Sequence, residues 1–232
     1  MATTQDTEAN SAKPDGRRTR GERNVTLVEH VRGLLLEDII RGHLKPGEMV
    51  QLSVLADSYN VSRTPVREAL ALLEHEGVVT AIAYKGYLVR PIEPRDVQDI
   101  FFMRRVLETA GIELATTRLS DESLDRLHSM RLPDGDTMTL EYDEVSQDFH
   151  RTIMEAAGNR RLLSTFDDLY NDVRRLQYAG IGTPRPDLIH EEHVEILKAL
   201  EARDPQLAAE RMTEHIDNVK SRALTAWVSA GS

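Results

Sequence analysis

Residues 61–70 read Val61-Ser62-Arg63-Thr64-Pro65-Val66-Arg67-Glu68-Ala69-Leu70, and the reading of this stretch decides what the N-terminal part of the chain is. Val66 and Leu70, with Leu73 beyond them, recur at helical spacing and predict a helix that runs to Glu76 and stops at Gly77. Ser62 is a favourable N-cap, and Pro65 falls in the first turn, where a missing N–H removes no helical bond. Arg63 and Arg67, four residues apart, project together from a face beside the apolar one, with Thr64 next to them. In a major groove such a pair reaches guanine O6 and N7 or phosphate, while the Ser62 and Thr64 hydroxyls can hold the DNA backbone. On an isolated amphipathic helix the same pair is more often a solvated face, so the neighbouring elements carry the decision.

Upstream, Val28, Val31, Leu35 and Ile39 describe a first helix that ends at Arg41-Gly42 before the Pro46-Gly47 turn, and a short second helix follows over about 52–59. Downstream, Val78–Ile82 and Tyr87–Val89 are β-rich runs around Tyr84-Lys85-Gly86, which predicts a hairpin. Three helices followed by a two-stranded wing make a winged helix-turn-helix over residues 24–91. Beyond Pro91 and Pro94 every strong pattern is helical, with helices expected near 95–118, 121–131, 139–157, 160–179, 187–202 and 205–228. The fold class is therefore mainly α: a winged helix-turn-helix, then an antiparallel all-α bundle over 92–232.

Composition narrows the function. The chain of 232 residues has no cysteine, which excludes disulfides, thiolate metal sites and thiol nucleophiles. No run approaches the roughly 20 apolar residues of a membrane span and residues 1–18 lack a signal-peptide core, so a cytoplasmic protein without a membrane partner is expected. The net charge of −10 argues weakly against nucleic acid, but residues 92–232 hold 27 of the 39 acidic residues and the first 91 are near neutral. Lys13, Arg17, Arg18, Arg20 and Arg23 make residues 1–23 read as a flexible basic arm or, equally, a solvated tail.

The N-terminal part resembles the GntR family of bacterial transcription regulators over about residues 28–90. The carrying residues are Pro46-Gly47, Leu55-Ala56, Val61 through Leu70, Leu73-Glu74, Glu76-Gly77 and Lys85-Gly86-Tyr87. The resemblance implies a homodimer on a palindromic operator, Arg63 and Arg67 reading the groove, and Lys85 with Gly86 at a wing tip entering the minor groove. Some relatives carry a basic residue early in the second helix where this chain has Ser53, so a contact there is not expected.

In the bundle, His150 shares a stripe with Ser146, Ile153 and Ala157, His193 with Ile189, Ile196 and Leu200, and His215 with Met212, Ile216 and Val219. Three helices thus each direct one histidine inward. Any one of them reads as a core histidine satisfied by a hydrogen bond. All three together suit a shared divalent ion such as Zn²⁺, with Ni²⁺, Mn²⁺ and Fe²⁺ as alternatives. Arg104 and Glu108 lie one turn apart on an inward stripe, either as a structural bridge or with Arg104 gripping an effector carboxylate. His190 lies at a stripe edge, towards ligand or solvent.

Residues 94–228 also resemble the FCD ligand-binding domain of the FadR subfamily, through Arg104 to Glu108, Phe149-His150, Gly158-Asn159, Glu192-His193, Asp204-Pro205 and His215. In metal-containing members an Asp four residues before the first His completes the ligand set; here that position is Ser146. Asp148 lies about 200° around the helix from His150 and Asp143 about 10 Å along it, so neither replaces the carboxylate. The implied function is a repressor whose operator binding is controlled by a small organic acid near Arg104, Glu108 and Ser146. The alternatives are a metal-sensing regulator or a metal-dependent enzyme using His150, His193 and His215. No catalytic residue is assigned, because no HExxH, phosphate-binding Gly loop or Ser/His/Asp arrangement is present.

Overall fold

The computed structural model describes residues 20–133, 139–181 and 185–230, with side chains from Leu27 to Trp227 within these ranges. The first unit is α1 (Arg20–Ile40), β1 (Met49–Val50), α2 (Leu52–Ser58), α3 (Arg63–His75), β2 (Val79–Ile82) and β3 (Gly86–Val89). The second is α4 (Pro94–Thr116), α5 (Asp121–Ser129), α6 (Leu140–Ala156), α7 (Arg160–Tyr178), α8 (Pro186–Glu201) and α9 (Pro205–Ala230). No described helix is long and apolar enough to cross a membrane.

Two expectations need correction. The first helix already includes Arg20, the first described residue, so the last residues of the expected basic arm are helical, and the rest of that arm lies outside the described residues. The wing is part of a three-stranded antiparallel sheet ordered β1-β3-β2, since Met49 and Val50 pair with Leu88 and Tyr87 on the side away from β2. Two residues carry too little periodicity to announce a strand, and their pairing becomes visible only in three dimensions.

Local chemistry sets most boundaries. Asn60 adopts a left-handed conformation (φ 53°) in the turn between α2 and α3, and Gly77 does so (φ 74°) after α3. The α4 N-terminus carries a reciprocal capping box between Glu93 and Asp96 with Pro94 at its first position. Asn159 caps α7 by accepting from Arg161 and Leu162 N–H groups, and Asp204 does the same for Gln206 and Leu207 ahead of α9.

Each unit has its own core. Val31, Leu35, Val66, Leu70, Leu73 and Val89 are fully buried in the winged helix; truncating Leu70 to Ala would cost about 2–5 kcal/mol. In the bundle, α4 lies against α6, α7 and α9, and its Phe101 and Ile112 join Phe149, Phe166, Ile196 and Met212. The units meet where α1 packs on α7. There Arg174 is bound by Glu37 of α1 and Asp143 of α6, and Arg175 donates to the Arg90 carbonyl.

Candidate functional site

Pro65, Val66, Ala69, Leu70 and Leu73 of α3 face the core, which leaves the opposite side of the helix in solvent. Ser62, Arg63, Thr64 and Arg67 are all exposed on that side. Ser62 occupies the N-cap position, but its side chain makes no capping hydrogen bond, so the hydroxyl stays available to a ligand. Neither Arg63 nor Arg67 has an ion-pair or hydrogen-bond partner among the described residues. Two unpaired guanidiniums at an exposed helix N-terminus give a cationic, donor-rich edge suited to guanine or phosphate.

At the wing, the turn between β2 and β3 is formed by Ala83, Tyr84 and Lys85, with Tyr84 fully exposed in a left-handed conformation (φ 63°) and Lys85 exposed beside it. Gly86 is not at the tip. It pairs with Ile82 at the start of β3 (φ 115°), and a Cβ added there would overlap the Val50 carbonyl oxygen. The glycine is required by the close approach of β1, a strand that the residue pattern did not reveal.

The three histidines converge. His150 from α6, His193 from α8 and His215 from α9 are all buried, and each offers a ring nitrogen such that the three atoms lie within 4.8 Å of one another. Ring centroids are 4.9–5.3 Å apart. Phe149 stacks on His193 at 3.8 Å and fixes its plane. His215 Nδ1 donates to Glu192 Oε2 at 2.8 Å, which leaves Nε2 as its free ligand atom. Glu192 is itself held by Arg222 and Asn218. His193 Nε2 is buried with no hydrogen-bond partner. His150 Nδ1 lies 2.6 Å from Glu108 Oε2 but is misaligned for a hydrogen bond, so it too lacks a hydrogen-bonding partner.

Electrostatics favour a neutral imidazole at His193 and at His215. Burial pushes His193 well below its ordinary value, reinforced by the neighbouring imidazoles. Burial likewise pushes His215 down to about 4, against the opposing pull of Glu192. Burial works against the charge of Glu108, yet Arg104 and His150 outweigh it and hold the carboxyl well below the usual range. Burial also opposes ionisation of Glu192, but the His215 and Arg222 hydrogen bonds bring it to about 2. Three converging imidazoles flanked by the ionised Glu108 and Glu192 form a donor set that fits a divalent cation.

The expected effector residues are partly engaged. Arg104 Nε donates to Glu108 Oε1 at 2.6 Å, and both residues are buried; the guanidinium also lies 5.9 Å from the Tyr170 ring centre. Glu108 serves Arg104 and lies against His150, a counter-ion position. Ser146 shares a 2.9 Å hydrogen bond with the Tyr170 hydroxyl. Asp143 is bound by Arg174 and Asp148 lies against Arg126, so neither stands in for the carboxylate that Ser146 lacks. His190 is half-buried, 3.4 Å from Arg131 Nη1. A hollow of about 20 Å³, room for one water, lies between Tyr142, Ile189, Val219 and Arg222, and none of the three histidines lines it.

The FCD domain family matches residues 99–218, and the family of bacterial regulatory proteins called gntR matches residues 27–89. The HTH-type transcriptional repressor GlaR of Escherichia coli (strain K12) is 30% identical over 195 residues, which cover 78% of this chain and 89% of that protein. The chain belongs to the GntR family.

Another relative of this GntR regulator, the Nta operon transcriptional regulator of Aminobacter aminovorans, is 30% identical over 177 residues, 75% of this chain and 83% of that one. The fold of this chain matches the solved structure of E. coli McbR/YncC with a TM-score of 0.71 at 21% identity, covering 87% of this chain and 98% of the other. The exposed arginine pair therefore belongs to the DNA-binding domain of a transcription regulator, and the histidine centre to its FCD effector domain. The protein is a regulator, not an enzyme.

Sequence reasoning missed Glu192 as the partner of His215, although it directly precedes His193. It also missed the Glu37, Arg174 and Asp143 network, for which no local signal exists, because the three residues come from three distant helices.

Proposed function

We propose that this GntR regulator is a repressor, acting in the cytoplasm as a homodimer on a palindromic operator, and released by a small organic acid bound at a metal-containing histidine centre. The observation that carries the effector half is the convergence of His150, His193 and His215, with His193 Nε2 buried and without a hydrogen-bond partner. Leaving a polar nitrogen unpaired in a core is costly, and a divalent ion between the three rings would satisfy it. Zn²⁺ suits three neutral imidazoles best, with Ni²⁺, Mn²⁺ and Fe²⁺ as alternatives.

In this reading His150, His193 and His215 hold the metal, with Glu192 orienting His215. When bound, the metal supplies a positive, Lewis-acidic centre for an effector carboxylate. Ser146, tied to Tyr170, contributes no charge of its own, so the effector brings the carboxylate that the chain lacks. Arg104 adds positive potential from beside Glu108. An effector can shift operator binding only by its difference in affinity for the operator-competent and operator-incompetent arrangements.

DNA reading rests on Ser62, Arg63, Thr64 and Arg67 in the major groove and Lys85 at the wing. Dimerisation is supported by the exposed apolar stripe of α4, where Phe102 (62% exposed) and Val106 (49%) lie one turn apart with Met103 beside them.

The test combines metal analysis of the purified protein with operator binding in the presence of small carboxylic acids, for the wild type and for His193→Ala. Release of the operator by an acid only in metal-loaded wild type is the expected result. A histidine variant that binds metal and responds to acid as the wild type does would defeat the proposal. The deep burial of the three histidines favours a second reading, in which the metal itself is the signal; operator affinity that follows metal alone, with no acid response, would select it.

A further inference from the structure

The C-terminal end of α1, the turn at Gly42–Pro46, the connection at Pro91-Ile92 and the end of α7 leave a hollow of about 710 Å³ between the two domains. This is within the roughly 300–1,000 Å³ range of small-molecule sites. Its charged walls are Arg41 and Lys45, and no acidic residue lines it among the described residues. Tyr178 and Trp227 provide aromatic surface, and Ile92 and Ile181 aliphatic surface. In a chain with a net charge of −10, a concavity with two cations and no carboxylate is selective for anions. Arg41 commits its Nε to Glu37 at 2.5 Å and keeps its remaining N–H groups, and the exposed Lys45 ammonium has no partner among the described residues.

We infer that this hollow is a second ligand site, separate from the histidine centre, that takes a small aromatic carboxylate. The carboxylate lies between Arg41 and Lys45, and the ring packs against Trp227 and Tyr178. Two residues of this wall also belong to the ion network that joins the domains. Arg41 binds Glu37, which binds Arg174 at 3.0 Å; Arg174 binds Asp143 at 2.6 Å; and the Tyr178 hydroxyl donates to the same carboxylate at 3.3 Å. A ligand that draws on Arg41 or displaces Tyr178 therefore acts on the junction that sets how the winged helix sits on the bundle. The inference does not depend on a metal at His150, His193 and His215.

Trp227 is the only tryptophan of the chain, so the tryptophan emission comes from this wall, where the ring also packs against the bundle core. The full-length protein is titrated with benzoate and, in parallel, with benzamide, which has the same ring without the charge. A saturable change in Trp227 emission with benzoate and none with benzamide is the expected result. Lys45→Ala, chosen because the Lys45 side chain bonds nothing among the described residues, weakens benzoate by about tenfold, and Lys45→Arg restores it. His193→Ala loses zinc and keeps the benzoate response. The inference is overturned by an absent or unsaturable response, by an equal response to benzamide, or by unchanged affinity in Lys45→Ala. Loss of the response in His193→Ala alone would move the ligand to the histidine centre. A benzoate affinity that falls as protein concentration rises would assign the hollow to a second copy of the chain.

Discussion

His215 Nδ1 donates to Glu192 Oε2 across 2.8 Å, which turns the other ring nitrogen of His215 towards His150 and His193. A carboxylate on the far nitrogen of a ligating imidazole fixes its tautomer and raises its basicity. Glu192→Ala is expected to weaken zinc by about 10- to 100-fold while leaving operator binding of the metal-free protein unchanged. Competition titration against a chelating dye measures the first and a gel-shift titration the second; unaltered zinc affinity would remove Glu192 from the centre.

Ser146→Asp places a carboxylate where the metal-containing relatives are expected to have one. Without metal, the buried charge displaces the Tyr170 hydrogen bond and should lower the melting temperature. With zinc, the variant should gain more than the wild type does, because the same carboxylate is now neutralised. Thermal melts of both proteins, with chelator and with zinc, test the reversal; a variant destabilised equally in both conditions would count against a metal at this position.

Arg63→Ala and Arg67→Ala should each lose about 1–3 kcal/mol of discrimination between operator and scrambled DNA. Lys85→Ala should instead weaken all sequences alike and reduce the salt slope of binding by about one. Binding isotherms at several salt concentrations separate the two behaviours. Unchanged sequence preference in both arginine variants would refute their assigned role.

The interdomain network has a definite pH dependence. Burial opposes the charge of Glu37, but Arg174 and Arg41 outweigh it and hold the carboxyl below its ordinary value of 4.5. A carboxyl whose folded value is depressed contributes stability above 4.5 and loses it as pH falls through the lower folded value. Glu37→Gln should therefore be less stable near neutral pH, by about 1 kcal/mol given that Glu37 is more than a third exposed. The difference should vanish on acidification, as followed by denaturant unfolding. Arg174→Met should cost more, about 3–5 kcal/mol, because it strands the buried Asp143 without its cation.

Phe102→Asp tests the association face. Placing a charge in an apolar stripe that a second copy covers should convert a dimer to monomers and reduce operator affinity, with little effect on monomer stability because Phe102 is 62% exposed. Light scattering during size-exclusion chromatography reads the mass; an unchanged dimer would place the interface elsewhere.

The parts legible in the residue pattern are those with short-range signals. Val66, Leu70 and Leu73 mark the buried side of α3, and the same periodicity directs His150, His193 and His215 into the bundle. The start of α1 was not legible because Arg20 to Asn24 offer no apolar spacing, and β1 was not because it has two residues. Gly86 was misread as a wing tip for the same reason: its requirement comes from Val50, 36 positions away.

The chain alone determined that an amphipathic helix would expose Arg63 and Arg67 and that three imidazoles would face inward, since helical period and burial follow from neighbouring residues. Only the tertiary structure decided which partner each inward group meets. Glu192 takes His215, Arg104 takes Glu108, Tyr170 takes Ser146, and Arg174 joins Glu37 of one domain to Asp143 of the other. Those choices depend on distances between helices far apart in sequence, and hydrogen-bonding groups pair with whatever the packing brings within about 3 Å.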